Sequence, residues 1–275
     1  MKSTFSQKRQ LGFTLIELLV ALGIFLLITG AAFGLLSSSQ QRYQTESQVL
    51  TSFQEARLGL DQMVRDINDA GFPPPTFFSS SNPLQSASSP FGWSPGYTVP
   101  TPCQIGTAGG GTCVSPGDFD IIIETDPNPQ DPTCAPNCLV QWIRYTLQGT
   151  TLMRGVANKA PSADPAVQTS SALVPFVQNV VNNTCPPSLP QCQSAYPNIF
   201  LGGAPVPIFS YICDTPTVPQ YPAPLCHLAG GDNSPANIRD VGITLIVAAP
   251  LPDANSGMPR LVQLSGRGRR VNPNH

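Results

Sequence analysis

The chain has 275 residues, of which 41% are hydrophobic and 11% charged, with a formal net charge of −2. That apolar share supports a packed core and excludes wholesale disorder, while 23 glycines and 31 prolines predict a loop-rich domain. Nothing in the charge balance argues for a nucleic-acid-binding fold.

The first twelve residues carry Lys2, Lys8 and Arg9 and no acid, so the remainder holds 11 basic against 16 acidic residues, a net −5. An apolar run follows over 13–36, interrupted only by Glu17. A carboxylate is costly inside a bilayer, so the acid needs a reason. Three readings compete for this segment. One is a plain signal anchor, with a basic flank and about 24 apolar residues spanning roughly 36 Å of helix. Another is a secretory signal peptide, with "TGAA" ending at Ala32 as its small-residue cleavage site. Neither explains Glu17. In the third, the chain is cut between Gly12 and Phe13, and the leader 1–12 is discarded. The new α-amine on Phe13 is a cation, and a buried acid is tolerable beside a cation. The isolated helix offers Glu17 no partner except water or headgroups, so the acid is expected to pair with the Phe13 amine of a neighbouring subunit.

The stretch "GFTLIELLVALGIF" resembles the class III prepilin signature of type IV pilins and type II secretion pseudopilins. The match consists of the basic leader, Gly12, Phe13, Thr14, Leu15, Glu17 and an unbroken apolar helix. The resemblance implies cleavage after Gly12 by a membrane peptidase, which also N-methylates Phe13.

Between 37 and 70 there is no proline and one glycine, Gly59. Apolar residues recur at Tyr43, Val49, Leu50, Phe53, Ala56, Leu60, Met63, Val64 and Ile67, the spacing of an amphipathic helix with one buried stripe. Asp61 with Arg65, and Arg65 with Asp69, add i,i+4 pairs. Gly71 supplies a C-terminal cap and "PPP" at 73–75 forbids continuation. The segment 13–70 thus reads as one helix of roughly 85–90 Å, with 13–36 as the membrane or filament-core half and 37–70 as the amphipathic half. Its end is similar to that of PilW-type minor pilins through Leu60, Met63, Arg65, Asp66, Ala70, Gly71 and Phe72; J-type minor pseudopilins end their helix in a similar way.

Beyond it, 71–275 reads as a β-rich globular domain. The stretch 72–117 is an irregular Pro/Ser/Gly-rich excursion. Strands are predicted at 119–126, 139–147, 151–156, 173–181, 208–213 and 241–249, with a hairpin turn at "QGT". All eight cysteines lie between Cys103 and Cys226. An even count behind an export-type N-terminus reads as disulfides in an oxidising space. Neighbour pairing gives Cys103 with Cys113, Cys134 with Cys138, Cys185 with Cys192, and Cys213 with Cys226. The insertions holding these pairs read as stapled surface decoration. A zinc site on "CAPNC" would need a second close pair or histidines, and only His227 and His275 exist.

Three further features are weighed. Asp118, Asp120, Glu124, Asp126 and Asp131 cluster around one strand, where a solvated strand end is favoured over a calcium loop. "SGRGRR" at 265–270, with Arg260 nearby, reads as a solvated basic tail, with contact to DNA, lipid or an acidic neighbour as the alternative. "NNT" at 182–184 fits a glycosylation sequon in form only. With two histidines there is no Ser-His-Asp, Cys-His or metal constellation, so neither enzyme activity nor a metal or cofactor is expected.

Together the resemblance implies an α+β pilin-like fold, a long helix packed on a mainly antiparallel sheet. It implies a minor pilin that helps prime or cap a type IV pilus, with a type II secretion minor pseudopilin, or a tip adhesin or DNA-uptake pilin, as alternatives. Its partners would be other minor and major pilins through the helix, the prepilin peptidase/methylase and the inner-membrane assembly platform. Its place would be the bacterial inner membrane, single-pass, N-terminus cytoplasmic and C-terminal domain periplasmic, then the pilus or cell surface.

Overall fold

A computed structural model of the chain describes residues 12, 14–74, 87–97, 102–106, 111–126, 140–186, 189–214, 226, 233–253 and 256–270. The chain divides into two compact units, Met1–Ser47 and Gln48–His275. A single α-helix, α1 (Leu15–Asn68), runs through both. In the first unit it is the only described element. The helix stops where the sequence supplies its cap: Gly71 takes φ 83°, the left-handed region that glycine reaches without strain, and its N–H donates to the Glu124 carbonyl at 2.9 Å.

In the second unit the amphipathic stripe is narrower than the spacing implied. Val49, Ala56, Leu60, Met63 and Ile67 are buried, whereas Leu50 is 60% exposed; Tyr43, in the first unit, is 74% exposed. Arg65 donates its Nε–H to the main-chain carbonyl of Asp61 at 3.3 Å rather than to a carboxylate.

Two antiparallel sheets share that stripe. The first orders β1 (Phe91–Gly92), β2 (Asp120–Thr125), β3 (Gln141–Gln148), β4 (Thr151–Asn158) and β5 (Val174–Val177) as a meander. β3 and β4 form the expected hairpin, closing at Gln148 opposite Thr151 with Gly149 at φ 59°. A short helix, α2 (Pro165–Ser170), precedes β5 and is N-capped by Asp164. The second sheet orders β6 (Phe209–Cys213), β7 (Ile238–Pro252) and β8 (Pro259–Arg269). One bridge, Val180 with Val247, links the segment after β5 to β7. Ala56, Leu60, Met63 and Ile67 pack into one cluster with Ile121, Ile123, Ile143 and Tyr145 of the first sheet and Phe209, Val241, Ile243 and Leu245 of the second.

Three expectations are corrected. First, 265–270 is not a solvated tail but the end of β8, paired to β7 from Leu261 opposite Ala248 to Arg269 opposite Asp240. Second, Asp120, Glu124 and Asp126 are buried, not a solvated strand end. β2 is covered on both faces: Ile121 and Ile123 join the cluster that holds the helix stripe, while Asp120, Ile122 and Glu124 point the other way. There Asp120 pairs with Arg144 at 2.6 Å. Glu124 accepts from Lys159 Nζ (2.6 Å), Trp142 Nε1 (3.0 Å), the Ser88 N–H (2.7 Å) and the Tyr97 hydroxyl. Asp131 lies outside the described residues. Third, the insertion around Cys185 and Cys192 is not decoration. It builds a second hydrophobic cluster in which Cys192 and Phe200 pack with Val181, Ile246 and Ala248.

The structure joins Cys103 to Cys113, Cys185 to Cys192 and Cys213 to Cys226. Cys134 and Cys138 lie outside the described residues. Asn182 of the sequon is fully buried and works as a strut: its Nδ2 donates to the carbonyls of Val206 (3.0 Å) and Thr244 (2.9 Å), and its Oδ1 accepts from the Ile246 N–H (2.8 Å).

Breaking a buried ion pair by removing one partner costs roughly 3–5 kcal/mol. Glu124→Gln should therefore lower the unfolding free energy of the full-length protein by about that amount, measured by urea titration. A change within about 0.5 kcal/mol would show that the Glu124 network does not hold the 87–97 segment to the sheet.

Candidate functional site

The residues singled out for chemistry cluster at the start of α1. Gly12 is exposed, with open space around it. Phe13 and the leader 1–11 lie outside the described residues. The helix begins at Leu15, and the Thr14 carbonyl already accepts the first helical bond, from the Leu18 N–H at 3.3 Å. Thr14 is thus the N-cap residue.

Glu17 does have a partner within its own chain, contrary to the expectation. The Thr14 N–H and the Thr14 hydroxyl both donate to Glu17 Oε2, each at 3.0 Å. The Glu17 N–H in turn lies 3.4 Å from Thr14 Oγ1. This is a capping box: cap and third residue satisfy each other's otherwise orphaned backbone donors. The acid also sits at the positive end of the helix dipole. Its signal stands in the sequence as "TLIE" ahead of an apolar run, where Thr14 is legible as a helix cap as well as a residue of the signature. Both bonds onto the carboxylate fall on one oxygen. Among the described residues Oε1 accepts nothing.

Around this carboxylate the helix is apolar on every side. Leu15, Ile16, Leu18, Leu19, Val20 and Leu22 are all exposed, and so are Phe25, Leu26 and Leu27 in the next turns. A continuous apolar surface of this kind marks contact with a membrane or with other helices. Among the described residues one helix is long and apolar enough to cross a membrane. No group of described His, Cys, Asp or Glu residues could hold a metal ion.

Residues 7–33 match the family model of the prokaryotic N-terminal methylation motif. The N-terminus carries that methylation motif, in keeping with the prepilin signature. The matched span contains the leader's Lys8 and Arg9, the Gly12–Phe13 junction, the capping box and most of the apolar run. No curated protein matches the chain. Among solved structures, the type IV-like pilin TTHA1219 from Thermus thermophilus is similar at 9% identity and a TM-score of 0.33, over 79% of this chain and 95% of that one.

The capping box has a direct test. Thr14→Val keeps the shape of the side chain but removes the hydroxyl, so backbone amides of the first turn should exchange with deuterium faster, whereas Thr14→Ser should preserve protection. Equal exchange in all three proteins would show that the box does not hold the helix start.

Proposed function

We propose that the chain is a minor pilin: a structural subunit, not an enzyme, that is processed at its N-terminus and enters a type IV pilus through α1. The observation that carries this reading is the methylation motif over residues 7–33, set on an apolar helix that continues into a folded domain. Prepilin peptidase cuts between Gly12 and Phe13 and methylates the new Phe13 amine. Before assembly the helix anchors the protein in the bacterial inner membrane, N-terminus cytoplasmic and β domain periplasmic, where disulfides form. Other pilins and the assembly platform are its partners. The similarity of Leu60, Met63, Arg65, Asp66, Ala70, Gly71 and Phe72 to the PilW-type helix end supports the pilus over the secretion pseudopilus.

Glu17 is the assembly residue. Thr14 fixes its side chain through Oε2 and leaves Oε1 open to a neighbour's Phe13 amine. A charge is needed for that contact but not for the cap, because Gln serves a capping box as well as Glu does.

Intact-mass measurement of membrane-extracted protein should give a chain starting at N-methylated Phe13; a start at Phe33 would instead identify an ordinary signal peptide. Glu17→Gln should leave membrane yield and cleavage unchanged, yet reduce co-purification with other pilins at least severalfold. If only Glu17→Ala weakens co-purification and Glu17→Gln does not, the residue acts through the cap and not through its charge.

A further inference from the structure

The second sheet carries a cluster of arginines that neither the helix nor the core uses. Asp240 on β7 is 1% exposed although it lies on the face of the sheet turned away from α1. Arginines cover it. Arg239 donates its Nε–H to Asp240 Oδ2 at 2.9 Å, Arg267 Nη2 reaches the same oxygen at 2.9 Å, and Arg269 Nε lies 4.0 Å from Oδ1. Burial pushes the Asp240 pKa up, but the hydrogen bonds from Arg239 and Arg267 outweigh it and leave the carboxyl below its ordinary value. It is therefore a fixed negative charge around which guanidinium groups are organised.

The cluster is over-supplied with cations. Arg270 binds Asp214 at 3.0 Å and the Ala236 carbonyl at 2.9 Å, and Arg239 divides itself between Asp240 and Asp214. Among the described residues four arginines thus meet two carboxylates. The surplus rests on Arg267 and Arg269, whose side chains are 59% and 71% exposed. They sit two residues apart on one face of an edge strand, so their Cα atoms are about 6.6 Å apart. Gly242 stands opposite Arg267, and Ser265 and Gln263 continue the same face as exposed polar residues. Each guanidinium presents five N–H donors, and most of those on these two residues face water.

Two exposed guanidiniums at that spacing fit a pair of carboxylates one turn apart on a helix, whose Cβ atoms are about 5–6 Å apart. A nucleic acid or an anionic membrane fits less well. Phosphate recognition draws on many cations along a backbone, whereas the chain outside its leader carries a net −5 that would repel a polyanion beyond this patch. We propose that the β8 face around Arg267 and Arg269 is a docking surface for a protein partner bearing paired carboxylates. The surface stands on its own geometry and does not rest on the filament reading.

The test uses full-length protein in nanodiscs of zwitterionic lipid. Two fluorescent helical peptides are titrated against it, one with two glutamates one turn apart and the other with lysines in their place. Wild type should prefer the glutamate peptide by about tenfold, as expected for two exposed ion pairs, and the preference should shrink with added salt. Arg267→Glu with Arg269→Glu should invert it. Because that double change also disturbs Asp240, Arg269→Gln is measured too. Its Nε is 4.0 Å from the nearest Asp240 oxygen, so it should lower the preference about threefold without changing the thermal midpoint. No preference in wild type, or no inversion in the double variant, overturns the proposal. So does tighter binding of short duplex DNA or of phosphatidylglycerol vesicles that Arg269→Gln abolishes, which would make the patch a phosphate surface.

Discussion

One stripe of side chains on the second half of α1 holds the two sheets in a common core. Among the described residues the sheets share no hydrogen-bonded ladder beyond the single bridge of Val180 with Val247 and one side-chain bond, from the Tyr211 hydroxyl to the Asp120 carbonyl at 3.3 Å. What they share is Ala56, Leu60, Met63 and Ile67. Close approach is built in from the sheet side. Gly266 and Gly268 of β8 lie directly under the helix, where an added Cβ would come within 2.9 Å of Leu60 Cδ1 and 2.5 Å of Ile67 Cγ2. Gly59 plays the same part on the helix, where an added Cβ would come within 2.5 Å of Val177 Cγ2 and 3.3 Å of Phe176 Cε1 of β5. Glycine weakens a strand interior and a helix interior alike. It is tolerated at these three positions because packing of helix on strand needs the space more than the backbone needs a side chain.

Among the described residues Asp66, Asp120, Glu124, Lys159 and Asp240 are buried, each against a partner of opposite charge. Asp66 on α1 accepts from the Tyr145 hydroxyl at 2.6 Å and from Arg154 Nη2 at 3.1 Å, which ties the helix to β3 and β4. Burial, followed by the Asp66 charge, raises the Tyr145 pKa, so its hydroxyl remains a donor to Asp66. On the far face of the same sheet, Glu124 collects donors from the 87–97 segment and from β3, while Arg144, paired with Asp120, donates to the carbonyl of Ala166 in α2. Such networks add little net stability compared with apolar packing, but they accept only one arrangement of their members. Here they specify which loop covers which strand, in a domain where proline- and glycine-rich segments have few local preferences of their own.

Where the sequence was legible, a period or a cap was written into few residues. Helix, hairpin and strands at 120–125, 141–148, 151–158 and 209–213 all follow from β-branched runs, turn glycines and the Gly71 stop. β8 was not legible because its defining residues look like a loop. "SGRGR" carries two glycines and two arginines, and its strand character comes from the β7 ladder and the helix above it. The acidic residues of β2 misled for a related reason: alternation cannot tell a solvated face from one that a distant segment will cover. Burial of 87–97 over Glu124 is a tertiary fact. So is the second cluster around Phe200, which needs Ile246 and Ala248 from a strand some 50 residues on.

At the helix start, the cap and the proposed assembly contact converge on one residue without competing for the same atoms. The cap requires an acceptor reaching back to Thr14, and Oε2 meets that need alone. An amide side chain would meet it equally. A carboxylate adds only charge, and charge in an apolar surround is a liability unless a cation answers it. Within the described part of this helix the first cation is Arg42, about seven turns on. Under the proposed function a cation from outside it answers that charge at Oε1, which accepts nothing among the described residues. By fixing one oxygen, Thr14 also fixes the direction of the other. On the proposed reading, the acid in the apolar run is a contact prepared before its partner arrives, held in place by a bond that assembly does not have to break.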